Sequence, residues 1–336
     1  MGQTLTYRVE THRLAAPFRI SGYVFEASDV VVVELDDGQH RGRGEAAGVY
    51  YLRDEAPQMV EQLEANRSAI EACESREALR QLLPAGGARN AIDCAMWELE
   101  ALRTGTPAYR LAGVDTPRPL VTTFTLGADD PDVMAEGARK YAGAKAIKIK
   151  LTGTLQLDIA RVRAIREARP DVWLGVDANQ GFGKHDLPAL VQAMGEQKVS
   201  LIEQPLPRGN EADLEGFQSP IPIAADESAL SLADVPGLVG RFDVVNIKLD
   251  KCGGLTEALL IADEARRLGI RVMVGNMVGT SWAMAPAFIL GQFCDFVDLD
   301  GPTFLKEDRV PGVDYEAGQI WCSDDVWGTP AAVLAA

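Results

Sequence analysis

WLGVD at residues 173–177, SLIE at 200–203 and PIAAD at 222–226 are three short apolar runs that each end in an acid, Asp177, Glu203 and Asp226. The intervals between the acids are 203−177=26 and 226−203=23 residues. Strands of a parallel barrel are near-continuous apolar runs, so an acid at the carboxyl end of three successive runs breaks the pattern where barrel enzymes hold their chemistry. Working outward, lysines interrupt two more runs, Lys148 and Lys150 in AIKIKL at 146–151 and Lys248 in VVNIKLD at 244–250.

The full series of strand-like runs starts at residues 121, 146, 173, 200, 221, 244, 271 and 296. Each interval leaves room for one amphipathic helix, such as LDIARVRAIREARP or LTEALLIADEARRLG, the second closed by Gly269. Strand and helix alternating eight times make an α/β chain with a TIM-type barrel over 119–303. No good helix follows Gly301 and Pro302, so the eighth helix is expected to be missing, a (β/α)7β barrel. Residues 1–118 read instead as an α+β capping domain. It has a β-rich start, a VVVVELDDG strand turning at Asp36, Asp37 and Gly38, and a long helix around ARNAIDCAMWELEALRTG that stops at Gly105 before Pro107. The tail, 304–336, is expected to complete that domain.

With 33 basic and 49 acidic residues the net charge is −16, which argues against nucleic-acid or anionic-membrane partners. Five cysteines without framework spacing fit reduced thiols of a cytoplasmic protein. The N-terminus has no apolar signal region, and the late apolar stretch WAMAPAFIL is short and broken by Pro286, so no export signal or membrane span is expected.

Side chains alternate along a strand, so Lys148 and Lys150 share a face. A like charge, a nearby cation and burial each favour a neutral lysine able to act as a base. Asp177, Glu203 and Asp226 offer hard oxygen donors without His or Cys, which suits Mg2+ and disfavours zinc. Asn179 and Asn246 lie two positions from Asp177 and Lys248 and so on the same faces, which suits hydrogen bonding to these groups or ordinary polar filling, and Glu227 adjoins Asp226 on the opposite face, with an outer supporting role or a structural ion pair open to it. Asp298 and Asp300 in FVDLDGP share a face and want a cation, which could be a second metal, a protein lysine or a substrate ammonium. His12, His40 and His185 all lie outside the strand ends.

These motifs resemble the enolase superfamily, in its muconate-lactonizing subgroup, and most closely its dipeptide epimerases. The resemblance rests on KIK at 148–150, DAN at 177–179, EQPLP at 203–207, ADES at 225–228, NIKLDKCGGLTEAL at 246–259 and DLDGP at 298–302, with PAGGARNAIDCAMWELEA in the first domain. It implies a capped (β/α)7β barrel in which Asp177, Glu203 and Asp226 bind Mg2+, Lys150 and Lys248 form an opposed acid/base pair, and Lys148 helps to stabilise an enolate. The superfamily is itself the general pattern of a lysine base working beside Mg2+ on an ene-diolate, and that case is carried over here. It also implies that Asp298 and Asp300 hold a dipeptide's α-ammonium and that the GNMVGTS loop at 275–281, with Met277, meets its carboxylate.

The expected activity is therefore epimerisation of a dipeptide at its C-terminal α-carbon, by a cytoplasmic enzyme expected to be a homo-oligomer. Rivals are an N-acylamino acid racemase, an o-succinylbenzoate synthase or a cycloisomerase of the same subgroup, or a noncatalytic ligand-binding barrel. Two loops, RISGYVFEAS at 19–28 and AAGVYYLRD at 46–54, should close the barrel mouth. The resemblance leads one to look for an arginine near Gly22 in enzymes for Ala-Glu, and this chain continues with Tyr23, Val24 and Phe25. Tyr23, Phe25, Tyr50 and Tyr51 would favour an apolar side chain. Arg19 or Arg53 swinging inward would restore Ala-Glu and a link to peptidoglycan peptide metabolism.

Overall fold

A computed structural model of the protein describes residues 3–20 and 23–330, so Ser21, Gly22 and the end of the tail lie outside the described residues. β1 (Thr4–Ile20) and β2 (Tyr23–Asp36) form a long antiparallel hairpin, and β3 (Arg41–Ala46) completes a sheet in the order β1-β2-β3. The register slips between Arg13 and Phe18, where Pro17 lacks the N–H a ladder requires. The β2–β3 turn is closed by Asp37 Oδ1, which accepts from Gln39 N at 2.9 Å and His40 N at 2.7 Å, while Gly38 takes the left-handed conformation with φ 87°.

The helix Gly87–Thr104 lies on this sheet and ends at Gly105, whose φ of 67° gives the left-handed stop. Val31, Val33 and Leu35 from β2 and Ile92, Ala95 and Leu99 from the helix share one core. Gly42 and Gly44 of β3 make the contact close. A methyl group on Gly44 would run into the Ala91 carbonyl and one on Gly42 into the Ala95 carbonyl.

β4 (Leu120–Val121) leads into eight parallel strands: β5 (Thr123–Leu126), β6 (Ala146–Lys150), β7 (Trp173–Asp177), β8 (Leu201–Glu203), β9 (Ile223–Ala225), β10 (Val244–Ile247), β11 (Arg271–Val274) and β12 (Phe296–Val297). They neighbour one another in chain order, and all eight of the apolar runs contain one. Two crossovers differ from expectation. β8–β9 and β9–β10 are joined through 3-10 turns, Glu211–Leu214 and Leu232–Leu238, instead of α-helices. These are the two shortest intervals, and prolines at 220, 222 and 236 remove the donors a longer helix would need.

The seam between β12 and β5 is joined by side chains. Thr123 Oγ1 donates to Asp298 Oδ1, Thr125 N donates to Asp300 Oδ2 at 2.6 Å, and Leu299 N donates to Thr122 Oγ1 at 2.9 Å. After β12 come a 3-10 turn, Gly301–Phe304, and a hairpin of β13 (Asp314–Glu316) and β14 (Gln319–Trp321), with β14 pairing to β4. The tail also reaches the first sheet and helix, where Trp327 Nε1 donates to Arg43 O at 2.8 Å and Gly328 N to Glu98 Oε1 at 3.1 Å. None of the described helices is long and apolar enough to cross a membrane.

Because the strand β3 and the helix approach through bare backbone, Gly44→Ala is expected to lower stability by about 1–3 kcal/mol. Gly143→Ala, where the added methyl group meets nothing within 4 Å, should change it by no more than about 0.5 kcal/mol. Urea denaturation of the two variants checks this, and equal midpoints would refute the close-packing account.

Candidate active site

Register brings the charged residues to one level. Lys150 pairs with Asp177 across β6 and β7, and Asp177 with Glu203 across β7 and β8. Glu203 pairs with Ala224, and Asp226 lies two residues further along. Asp177, Glu203 and Asp226 are all buried, and carboxylate oxygens of the three lie within 4.8 Å of one another.

Lysines surround these acids. Lys148 Nζ lies 2.7 Å from Glu203 Oε2, 2.8 Å from Asp298 Oδ2 and 3.2 Å from Asp177 Oδ2. Lys150 Nζ contacts Asp177 Oδ2 at 2.6 Å, and Lys248 Nζ contacts Asp226 Oδ2 at 2.7 Å. Burial opposes the charge of Lys148 and Lys248, but the carboxylates outweigh it, above all Asp298 for Lys148 and Asp226 for Lys248. Both ammoniums are held above the ordinary lysine range. The sequence expectation, built on a like charge, a nearby cation and burial, did not include this close approach of Lys148 and Lys248 to acids.

The acids respond unequally. Burial raises Asp177, yet Lys150 and Lys148 bring it down to about 2. Glu203 is pushed up to about 7 by burial and by Asp177, in spite of Lys148. Its Oε1 accepts from Asn246 Nδ2 at 2.9 Å, while Oε2 lacks a hydrogen bond of good geometry. Three hard carboxylate donors converging on one point fit a divalent cation, and none of them offers the soft donor that zinc prefers.

Lys251 was not singled out from sequence. Its buried Nζ donates to Asp226 Oδ1 at 2.5 Å, to Asp226 O at 2.6 Å and to Asn246 O at 2.9 Å, pinning the third acid. Its place in NIKLDKCGG, three residues after Lys248, is one turn along a short helix, Leu249–Cys252, and apolar patterning gives no sign that this turn is folded inward.

A cavity of about 390 Å3 opens above these groups. Lys150, Lys248, Asp226, Glu227, Asn179, Met277, Phe25, Tyr50 and Tyr51 are part of its lining. Glu227 was expected to face away, but strand alternation ends at Ala225 and the turn that follows brings its carboxyl into the wall. Burial and Asp226 push that carboxyl up to about 8, and its Oε2 has no hydrogen-bond partner among the described residues. Asn179 Oδ1 and the Tyr51 hydroxyl lack partners as well.

The first unit supplies the aromatic side of the wall. The Phe25 and Tyr50 rings lie 5.1 Å apart and those of Tyr50 and Tyr51 5.2 Å, while the half-exposed Tyr23 meets Tyr50 edge-on at 4.6 Å. Asp250 holds the loop that carries both tyrosines, since its Oδ1 accepts from Ala47 N and Gly48 N at 3.0 Å each. Arg19 and Arg53 are exposed, and neither lines this cavity. Arg19 borders a separate groove because its backbone carbonyl is tied to Ala128 N, and Arg53 caps the 3-10 turn Tyr50–Leu52 with φ 58°.

Asp298 and Asp300 are buried at the seam and also outside the cavity lining. Lys148 is the cation on Asp298. Asp300 has no ion pair among the described residues, and burial with Asp298 beside it pushes its carboxyl up to about 7.

Residues 133–324 match the family model Enolase C-terminal domain-like, and residues 3–113 match that of the Mandelate racemase / muconate lactonizing enzyme N-terminal domain. The chain is 40% identical over 313 residues to the L-Ala-D/L-Glu epimerase of Escherichia coli strain K12, covering 93% of this chain and 97% of that protein. An enolase family member from Agrobacterium tumefaciens with homology to dipeptide epimerases, with bound sodium and L-Ala-L-Glu, superposes with a TM-score of 0.92 at 40% identity. That match covers 97% of this chain and 100% of the other. A dipeptide epimerase from Methylococcus capsulatus complexed with Mg and L-Arg-D-Lys has a TM-score of 0.89 at 29% identity, over 96% and 98% of the two chains.

Lys148 sits between three buried carboxylates, so its removal leaves them facing one another. Lys148→Met is expected to cost about 3–5 kcal/mol of stability, measured by urea denaturation in the presence of a chelator. A loss below about 1 kcal/mol, the scale of an exposed ion pair, would show that the carboxylates do not depend on this amine.

Proposed function

Because the chain belongs to the enolase superfamily, with both its mandelate racemase/muconate lactonizing N-terminal domain and its enolase-like barrel, we propose that it is a Mg2+-dependent dipeptide epimerase acting at the α-carbon of the C-terminal residue. One observation carries this reading. Lys150 and Lys248 reach the same cavity from β6 and from the end of β10, four places apart in a barrel of eight strands. Two amines on opposite sides of one bound α-carbon are what inversion requires.

Asp177, Glu203 and Asp226 would hold the Mg2+, which when bound supplies positive charge to stabilise the anionic substrate as its α-proton becomes acidic. The same acids position both amines, since Asp177 and Asp226 are the partners of Lys150 and Lys248. In one direction Lys150 takes the α-proton and Lys248, as an ammonium, gives one to the other face, and in the reverse direction the roles exchange. Lys251 keeps Asp226 in place during this exchange, and Asn246 does the same for Glu203.

Asp300 is the group that supports a substrate with a free amino terminus. It is buried, it has one backbone donor in Thr125 and it has no cation of its own among the described residues. A substrate ammonium would complete it. An N-acylated or anionic substrate would leave it uncompensated, which favours the dipeptide over the acylamino acid and cycloisomerase readings.

Lys150→Ala and Lys248→Ala are each expected to lower epimerisation by at least about 10^2-fold, while each retains deuterium exchange from one epimer only. Mass detection of α-deuterium in deuterated water, starting from each epimer separately, checks this. Loss of either lysine without effect would sink the two-base mechanism. Acetylating the amino group of the dipeptide should cost about 1.5–3 kcal/mol in kcat/KM, and equal rates for free and acetylated forms would move the chain to the acylamino acid reading.

A further inference from the structure

The cavity carries a charge pattern that proton transfer at the α-carbon does not use. Asp29, Glu55 and Glu227 all line it, and none of the three is in an ion pair among the described residues. Asp29 and Glu55 are exposed, and Asp29 accepts only a hydrogen bond from Thr11 Oγ1 at 2.6 Å. Glu227 is 3% exposed, and its Oε2 stands without a partner in the wall. The cations of the lining, Lys150 and Lys248, are each engaged by an acid of the triad. Phe18, Phe25, Tyr50 and Tyr51 line the same cavity.

Three kinds of side chain can be weighed against this wall. A carboxylate would meet Asp29, Glu55 and Glu227 and, among the described lining residues, no arginine to pair with. An aliphatic or aromatic side chain would pack on the rings but leave Glu227 Oε2 buried and unsatisfied. A long basic side chain satisfies both parts, since its methylene stem lies along aromatic faces while its charged end reaches the acids. The location fits the second residue of the substrate. Asp300 stands at the β12–β5 seam, and Glu227 follows β9, three strands from β12 and four from β5. A dipeptide whose amino terminus is at the seam directs its other end toward Glu227.

Resting on the epimerase reading, we propose that the preferred substrates are dipeptides whose C-terminal residue is basic, lysine or arginine, with Glu227 as the buried acceptor and Asp29 and Glu55 as outer ones. The experiment measures α-deuterium incorporation by the Mg2+-loaded enzyme for L-Ala-L-Lys, L-Ala-L-Leu and L-Ala-L-Glu. We expect kcat/KM for L-Ala-L-Lys to exceed that for L-Ala-L-Leu by about tenfold or more, with L-Ala-L-Glu lowest. Glu227→Gln should lower the Lys/Leu ratio by about tenfold. The double variant Asp29→Asn, Glu55→Gln, changed only at exposed positions, should lower the ratio about threefold through weaker, screened charges. L-Ala-L-Leu or L-Ala-L-Glu turned over as well as L-Ala-L-Lys would overturn the proposal, as would a ratio unmoved in both variants. Exchange with none of the three dipeptides would overturn the epimerase reading, and this proposal with it.

Discussion

The ammonium of Lys148, buried between Asp177, Glu203 and Asp298, is the interaction on which the rest of the structure depends. It joins β6 to β7 and β8 on one side and to the chain following β12 on the other, so one charge spans the barrel interior across its seam. Removing several carboxylates from water is expensive unless cations come with them. Lys148, Lys150, Lys248 and Lys251 are those cations here: Asp177 and Asp226 each meet two of them, and Glu203 meets Lys148 alone among the described residues. The same arrangement that makes the acids tolerable in a folded chain leaves them able to accept a divalent ion.

A second set of buried charges fastens the first unit over the barrel. Asp250 holds the Tyr50–Tyr51 loop by two backbone N–H groups. Arg89, on the long helix, donates to Gly253 O and Glu257, and Asp93 accepts from Thr256 N at 3.0 Å. On the other flank Glu45 of β3 receives Thr280 N at 2.7 Å and Arg309 Nη2 at 2.6 Å, with the Arg309 guanidinium 3.8 Å from the centre of the Trp282 ring. These contacts tie the aromatic wall and the Met277–Val278 stretch to one frame. The cavity is thus shaped by both units, the first supplying the aromatic wall and the barrel supplying the lysines and acids.

Strand periodicity was legible because barrel strands are buried on both faces and read as plain apolar runs. The charged exceptions, Lys148, Lys150, Asp177, Glu203, Asp226 and Lys248, were legible for the same reason, as each interrupts such a run, Lys148 within it and the others at its carboxyl end. Turns and stops could be read where backbone conformation demands a residue type, as at Gly38 and Gly105. The two crossovers through 3-10 turns were less legible, because spacing alone does not separate a short helix from a tight turn.

What the sequence alone determined is the α/β barrel with its α+β unit and the set of groups at the strand ends, since both follow from the alternation and length of local segments. Only the tertiary structure decided which charge meets which. It gave Asp298 to Lys148, drew Lys251 onto Asp226, turned Glu227 into the cavity and left Arg19 and Arg53 outside it. Those pairings depend on angstrom-scale approach between residues far apart in the chain. Coulomb energy and desolvation change steeply over that range, and no local pattern encodes it.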